Sequence, residues 1–90
     1  MPILKLPAVL KSYTGGLVEI TVQAGTAGAA LHDLVRQYPV LLPHLYNSRG
    51  ELRPFVNLYL GAENVLNLQG LETPLHEGDV LRMVPAVAGG

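Results

Sequence analysis

Ninety residues make one folding unit, and a hydrophobic content of 49% is enough to build a core without covalent staples. The absence of cysteine excludes disulfides, thiolate catalysis, zinc–thiolate sites and cysteine-ligated iron–sulfur clusters. A net charge of −1, with the six Lys and Arg scattered, leaves no basic stripe for nucleic acid.

Met1-Pro2-Ile3-Leu4-Lys5 has no signal-peptide layout, and the apolar runs are too short to span a bilayer. A cytoplasmic domain without membrane contact is expected. Ile3-Leu4-Lys5-Leu6 reads as a first strand that Pro7 ends. Thr14-Gly15-Gly16 is a turn signal. From Leu17 to Gln23, Val18, Ile20 and Val22 alternate with polar residues, the period of a half-buried second strand, so a hairpin is expected. Thr26 is placed as an N-cap. Ala27, Ala30, Leu31, Leu34, Val35 and Tyr38 then recur on one face of a helix that Pro39 stops. Gly28 weakens its first turn.

Val40 to Tyr46 suits a short helical turn, and Asn47-Ser48-Arg49-Gly50 a loop. In a third strand, Phe55–Leu60, the residues Val56, Leu58 and Leu60 share one face and Phe55, Asn57 and Tyr59 the other. A turn at Gly61–Asn64 precedes a strand stub at Val65-Leu66, and Asn67 to His76 reads as irregular. Glu77-Gly78-Asp79 turns the chain into a last strand, Val80–Val84, ending at Pro85. A leading hairpin, one long helix and two or three further strands make an α+β arrangement. Its best match is the β-grasp (ubiquitin-like) roll, a mixed sheet of 4-5 strands with one main helix. Residues 1-84 would form the domain and 85-90 a flexible C-terminal tail, free of the body because the first and last strands of that fold pair at the sheet centre.

That tail, Pro85-Ala86-Val87-Ala88-Gly89-Gly90, is thin, since Gly89 and Gly90 lack a Cβ and can thread a narrow channel. A Gly-Gly carboxylate suits an ATP-using enzyme that adenylates a protein's terminus. If Val56, Leu58, Leu60, Leu81 and Met83 face the helix, then Phe55, Tyr59, Val80, Arg82 and Val84 face outward as a docking patch of apolar groups around an Arg. His32, His44 and His76 lack ligand spacing, so no metal is expected, and Glu72, Glu77 and Asp79 read as turn-forming acids. Arg49 and Arg53 flank Gly50 as a weak anion signal. Asp79 is a candidate cap for local backbone amides.

The chain resembles the prokaryotic ubiquitin-like sulfur carriers of the MoaD/ThiS type. The residues that carry the likeness are Glu77-Gly78-Asp79 before a strand, then Pro85 and Gly89-Gly90; Phe55-Val56-Asn57-Leu58-Tyr59; Thr26 before the helix; and Tyr38-Pro39 after it. The Thr14-Gly15-Gly16 turn, the Phe55-Val56-Asn57 run and the ending look most like the carriers of cysteine biosynthesis (CysO type). Glu77, where the family often has Asp, is a small departure.

The resemblance implies a protein co-substrate rather than an enzyme, with no cofactor of its own. An activating enzyme of the ubiquitin-activating type, an adenylyltransferase and sulfurtransferase, would use ATP to convert the Gly90 carboxylate to an acyl-adenylate and then a thiocarboxylate. The sulfur would pass to activated serine on a pyridoxal-phosphate cysteine synthase, with a protease releasing cysteine. It could instead pass to a pterin precursor in a molybdopterin synthase large subunit. A ubiquitin-like protein modifier and a non-covalent β-grasp binding module remain as alternatives. With Gly90 last, no unmasking cleavage is expected, and a monomer is the default.

Overall fold

The computed structural model describes residues 1–54 and 56–85. Phe55 and residues 86–90 lie outside the described residues, and with them the expected outward place of Phe55 and most of the expected tail.

Five strands form one sheet: β1 Ile3–Lys5, β2 Glu19–Thr21, β3 Val56–Leu60, β4 Glu63–Asn64 and β5 Val80–Pro85. Their order is β2-β1-β5-β3-β4. β1 and β5 run parallel, with Leu4 opposite Leu81, and the other pairs are antiparallel. The first and last strands of the described chain therefore lie side by side at the sheet centre. One face of this mixed sheet is covered by helix α1, Ala27–Gln37, followed by the one-turn helix α2, Leu42–Leu45. This is the β-grasp roll.

α1 forms where the apolar spacing places it. Ala27, Ala30, Leu31 and Leu34 are fully buried against Leu4, Ile20, Val22, Leu58 and Leu81. Thr26 caps the helix, its hydroxyl accepting from the Ala29 amide at 3.2 Å. Tyr38, ahead of Pro39, leaves the helical region at φ −133° and ψ 77°. Gly28 has a packing reason. A Cβ there would meet the Leu71 carbonyl oxygen at 3.1 Å and the Leu71 Cβ at 3.2 Å, so an alanine would fit only if the 70–72 turn gave by a few tenths of an ångström.

Four sequence expectations are corrected. β2 is confined to Glu19–Thr21, because its partner β1 offers only three residues. The connection between them is no tight hairpin: after Pro7 it makes a 3-10 turn, Ala8–Tyr13, before Gly15 and Gly16 reverse the chain at positive φ. The strand stub lies at Glu63–Asn64, pairing back on Tyr59 and Leu60, while Val65–Asn67 makes a 3-10 turn capped by the Asn64 side chain. β5 runs one residue past Val84, so Pro85, assigned to the tail by sequence, pairs its backbone with Val56. The ladder tolerates this proline. The Ile3 amide donates to the Asp79 carbonyl, so odd-numbered β5 residues point toward β1. β1 pairs only as far as Arg82, and no ladder donor is missed at Pro85.

Asp33 ties α1 to the end of β2. It is 9% exposed, and its carboxylate accepts from the Gln23 amide (2.9 Å), Arg36 Nε (2.8 Å) and Gln37 Nε2 (3.0 Å). The Gln23 amide, helped by Arg36 and Gln37 and opposed by burial, holds its pKa below the ordinary 3.8. A depressed folded-state pKa means that this stabilisation is present above the unfolded value and lost as pH falls through the folded one. Asp33→Ala is expected to cost about 1.5–3 kcal/mol at neutral pH. Its penalty should shrink below pH 4, a convergence visible in urea denaturation midpoints measured across pH.

Candidate functional site

β5 organises the candidate site. The Glu77–Asp79 turn launches it. Gly78 takes φ +84°, and Asp79 Oδ2 accepts from the His76 amide at 2.7 Å, so Asp79 caps the turn as its position suggests. From there Leu81 and Met83 point into the core at 0% and 4% exposure, and the alternate residues Val80, Arg82 and Val84 face away from α1.

The outer face assembles around Arg82. Its guanidinium lies 5.6 Å from the centroid of the Tyr59 ring, which stands directly opposite on β3. Val84 stands opposite Asn57. On the other flank, parallel pairing sets Ile3 beside Val80 and Lys5 beside Arg82, and Lys5 Nζ reaches Glu19 at 3.7 Å. Val80 is 40% exposed, Arg82 exposed, and Tyr59 and Val84 half-buried. The structure thus brings together four of the five expected patch residues, Tyr59, Val80, Arg82 and Val84; the fifth, Phe55, is outside the described residues. Ile3, Lys5 and Glu19 join them, although the alternation within β3 and β5 did not point to them. Their signal was the alternation of Ile3 and Lys5 with the buried Leu4 and Leu6, which needed the β1–β5 pairing to become a location.

The histidines are dispersed. His44 packs on Tyr13 with ring centroids 4.5 Å apart, His32 faces the edge of Tyr46 at 6.3 Å, and His76 sits in the Asp79 turn. Among the described residues no three His, Cys, Asp or Glu converge on a point suitable for a metal ion. Arg53 Nε donates to the Pro43 carbonyl at 3.0 Å and so braces α2. No described helix is long and apolar enough to cross a membrane.

β5 thus sits at the sheet centre with an apolar and cationic outer face, and the small residues 86–90 follow it in the sequence. The family model described as the ThiS family matches residues 4–90. The chain belongs to the ThiS family. This ThiS-family chain is 37% identical over 87 residues to the sulfur carrier protein CysO of Mycobacterium tuberculosis, covering 94% of each. It superposes on a chain of the Amycolatopsis orientalis BexX/CysO complex with a TM-score of 0.86 at 29% identity, covering all of both chains. It also matches small archaeal modifier protein 3 of Haloferax volcanii, at 37% identity over 65 residues, covering 72% of this chain and 70% of that one. It is thus a member of the sulfur carrier protein family, similar to CysO.

Proposed function

We propose that this ThiS-family chain carries sulfur as a C-terminal thiocarboxylate, for cysteine biosynthesis. The observation that supports this reading best is the position of β5. The strand is held by β1 from Val80 to Arg82 and by β3 from Leu81 to Pro85, and the family match continues from it through Gly90. A rigid strand would then aim a thin peptide, Ala86-Val87-Ala88-Gly89-Gly90, into a partner's active site.

The chemistry follows from what a carboxylate lacks. Its oxygen is a poor leaving group and it holds no sulfur. Attack of the Gly90 carboxylate on the α-phosphate of ATP, bound by an activating enzyme, forms an acyl-adenylate and releases pyrophosphate. Sulfide then displaces AMP and leaves the thiocarboxylate. That sulfur is ionised near neutral pH and nucleophilic, and it attacks a serine-derived acceptor on a pyridoxal-phosphate cysteine synthase. A protease would release the cysteine built on Gly90. No described side chain is needed as acid or base, so the chain acts as a co-substrate.

The outer face of the sheet is the proposed docking surface for the activating enzyme. Arg82 at its centre would meet an acidic group, with Tyr59, Val80, Val84 and Phe55 supplying apolar contact. Incubating the chain with ATP, sulfide and its activating enzyme should produce a species heavier by one oxygen-to-sulfur exchange, localised to Gly90 by intact-mass and fragment-mass measurement. Arg82→Glu should slow that conversion about tenfold or more while leaving the melting temperature within a few degrees. An unmodified mass under all conditions would defeat the carrier reading.

The likeness to an archaeal modifier protein favours one second reading, in which the activated Gly90 forms isopeptide bonds with lysines of other proteins. Lysine adducts bearing a Gly-Gly remnant, found without thiocarboxylate, would select it.

A further inference from the structure

An apolar pocket of about 420 Å³ lies on the helix side of the sheet, at the end of the roll where β5 finishes. Val9 and Leu10 of the β1–β2 connection, Leu45 of α2, Val56 of β3 and Met83 of β5 line it, with Arg53 at its wall. Val9 is 70% exposed and forms part of an open rim. Arg53 is pinned in place by hydrogen bonds on three sides. Its amide donates to the Leu45 carbonyl (2.8 Å), its Nε donates to the Pro43 carbonyl (3.0 Å), and its own carbonyl accepts from the Val56 amide (3.0 Å). Among the described residues no carboxylate lies within salt-bridge distance of Arg53, and none that lines the pocket is acidic.

We propose that this pocket is a second docking point for the enzyme that activates Gly90, taking from it an apolar side chain flanked by a carboxylate. The proposal rests on the reading of Gly90 as the reacting terminus. Two observations point to this occupant. The first is chain length. Pro85 pairs with Val56, a wall of the pocket, and five residues follow Pro85 in the sequence. However they run, five residues span at most about 18 Å, so an enzyme acting on Gly90 has to bring its surface to this end of the roll. The second is charge complementarity. A guanidinium fixed through its backbone and its Nε presents its remaining N–H groups to a carboxylate in a set orientation, and apolar walls beside it strengthen that pair. The volume is in the range that buries a ligand-sized group, here a side chain of the enzyme.

Met83 and Val84 are neighbours on β5 and point to opposite sides of the sheet, so the pocket and the outer face around Arg82 flank the same strand. An enzyme that holds both grips β5 from two sides just before the reacting segment. Such a grip fixes the direction from which Gly90 approaches, and the rate of adenylation depends steeply on that placement.

ATP–pyrophosphate exchange, measured with the activating enzyme as the concentration of the full chain is varied, tests this. Val9→Glu should raise the KM for the chain about tenfold and Val9→Lys by far less, because only the first repels an incoming carboxylate. Arg53→Glu should raise KM at least as much, and Arg53→Lys should retain much of the affinity. Val9 is exposed, so both of its variants should melt within a few degrees of the unsubstituted chain, and a KM change at unchanged melting temperature is not a loss of fold. Methyl NMR gives a readout independent of turnover: saturating the enzyme's protons should attenuate the signals of Val9, Leu10 and Leu45. Attenuation confined to Val80 and Val84, or equal KM for Val9→Glu and Val9→Lys, overturns the proposal. So does a dimer of the free chain that Val9→Glu dissolves, which would assign the pocket to a second copy. Unaltered exchange kinetics in every pocket variant removes this inference alone. Exchange absent from every form, the unsubstituted chain included, defeats the reading of Gly90, and this inference falls with it.

Discussion

Deleting Gly89 and Gly90 is expected to abolish thiocarboxylate formation while leaving the melting temperature within a few degrees of the full chain. The shortened chain still ends in a carboxylate, so the expected loss is one of geometry. Removing two residues draws the acyl carbon back by up to about 7 Å, where a 1 Å displacement of reacting groups is already worth about a hundredfold. The new terminus, Ala88, also brings a Cβ into a passage that glycine threads without one. The described fold ends at Pro85, three residues earlier, and none of its strand pairs involves the deleted pair. Intact mass after incubation with ATP, sulfide and the activating enzyme reads the chemistry, and circular dichroism reads the fold. Sulfur gained by the shortened chain would make the two glycines dispensable. Loss of both signals together would move their role from chemistry to folding.

Leu81→Ala is expected to be the most damaging single change to the fold. Leu81 is fully buried, stands opposite Leu4 on β1 and Leu60 on β3, and packs in the core beneath α1. No neighbour can fill its place without breaking a ladder on one side or the other. The transfer and cavity contributions together cost about 2–5 kcal/mol. A domain of this size has about 5–15 kcal/mol to lose. Each kcal/mol lowers the melting temperature by roughly 4–8 °C, so a fall of at least about 10 °C should appear in thermal unfolding. A fall of a degree or two would mean that β5 is less central than its two ladders make it. Sulfur loading measured below the new melting point should survive, because the tail and the outer face are untouched.

Much of this architecture was legible because hydrophobic spacing and local chemistry agree. Ala27, Ala30, Leu31 and Leu34 mark the helix, Thr26 caps it and Tyr38-Pro39 ends it. The Gly78-Asp79 turn and the alternation from Val80 to Val84 mark β5 and assign its outward residues correctly. The misses have a common cause, in that a tertiary partner overrode the local signal. Ala8–Tyr13 has no 3.6-residue apolar period, because a 3-10 turn repeats every three residues and buries little. Val65-Leu66 looks like a strand by composition, yet Gly61 at φ +64° reverses the chain early enough for Glu63 and Asn64 to pair instead. Asp33 gave half a signal, its i+3 and i+4 partners Arg36 and Gln37. Its strongest partner, the Gln23 amide, lies across the fold. The pocket beside Arg53 was not legible at all, since its walls come from four separate segments.

The parallel pairing of β1 with β5 has a consequence for the order of events at the ribosome. Ile3–Lys5 emerges first but has no parallel neighbour until Val80–Arg82 follows, so the sheet cannot close during most of synthesis. Pairing between such distant segments is slow and late, and it leaves the apolar face of α1 without its full cover until the chain is nearly complete. The strand that completes the sheet is also the one that carries the tail. A chain that has misfolded or been cut therefore presents its terminus without the outer face proposed to bring it to an activating enzyme. On the proposed function, loading with sulfur would favour molecules that have finished folding.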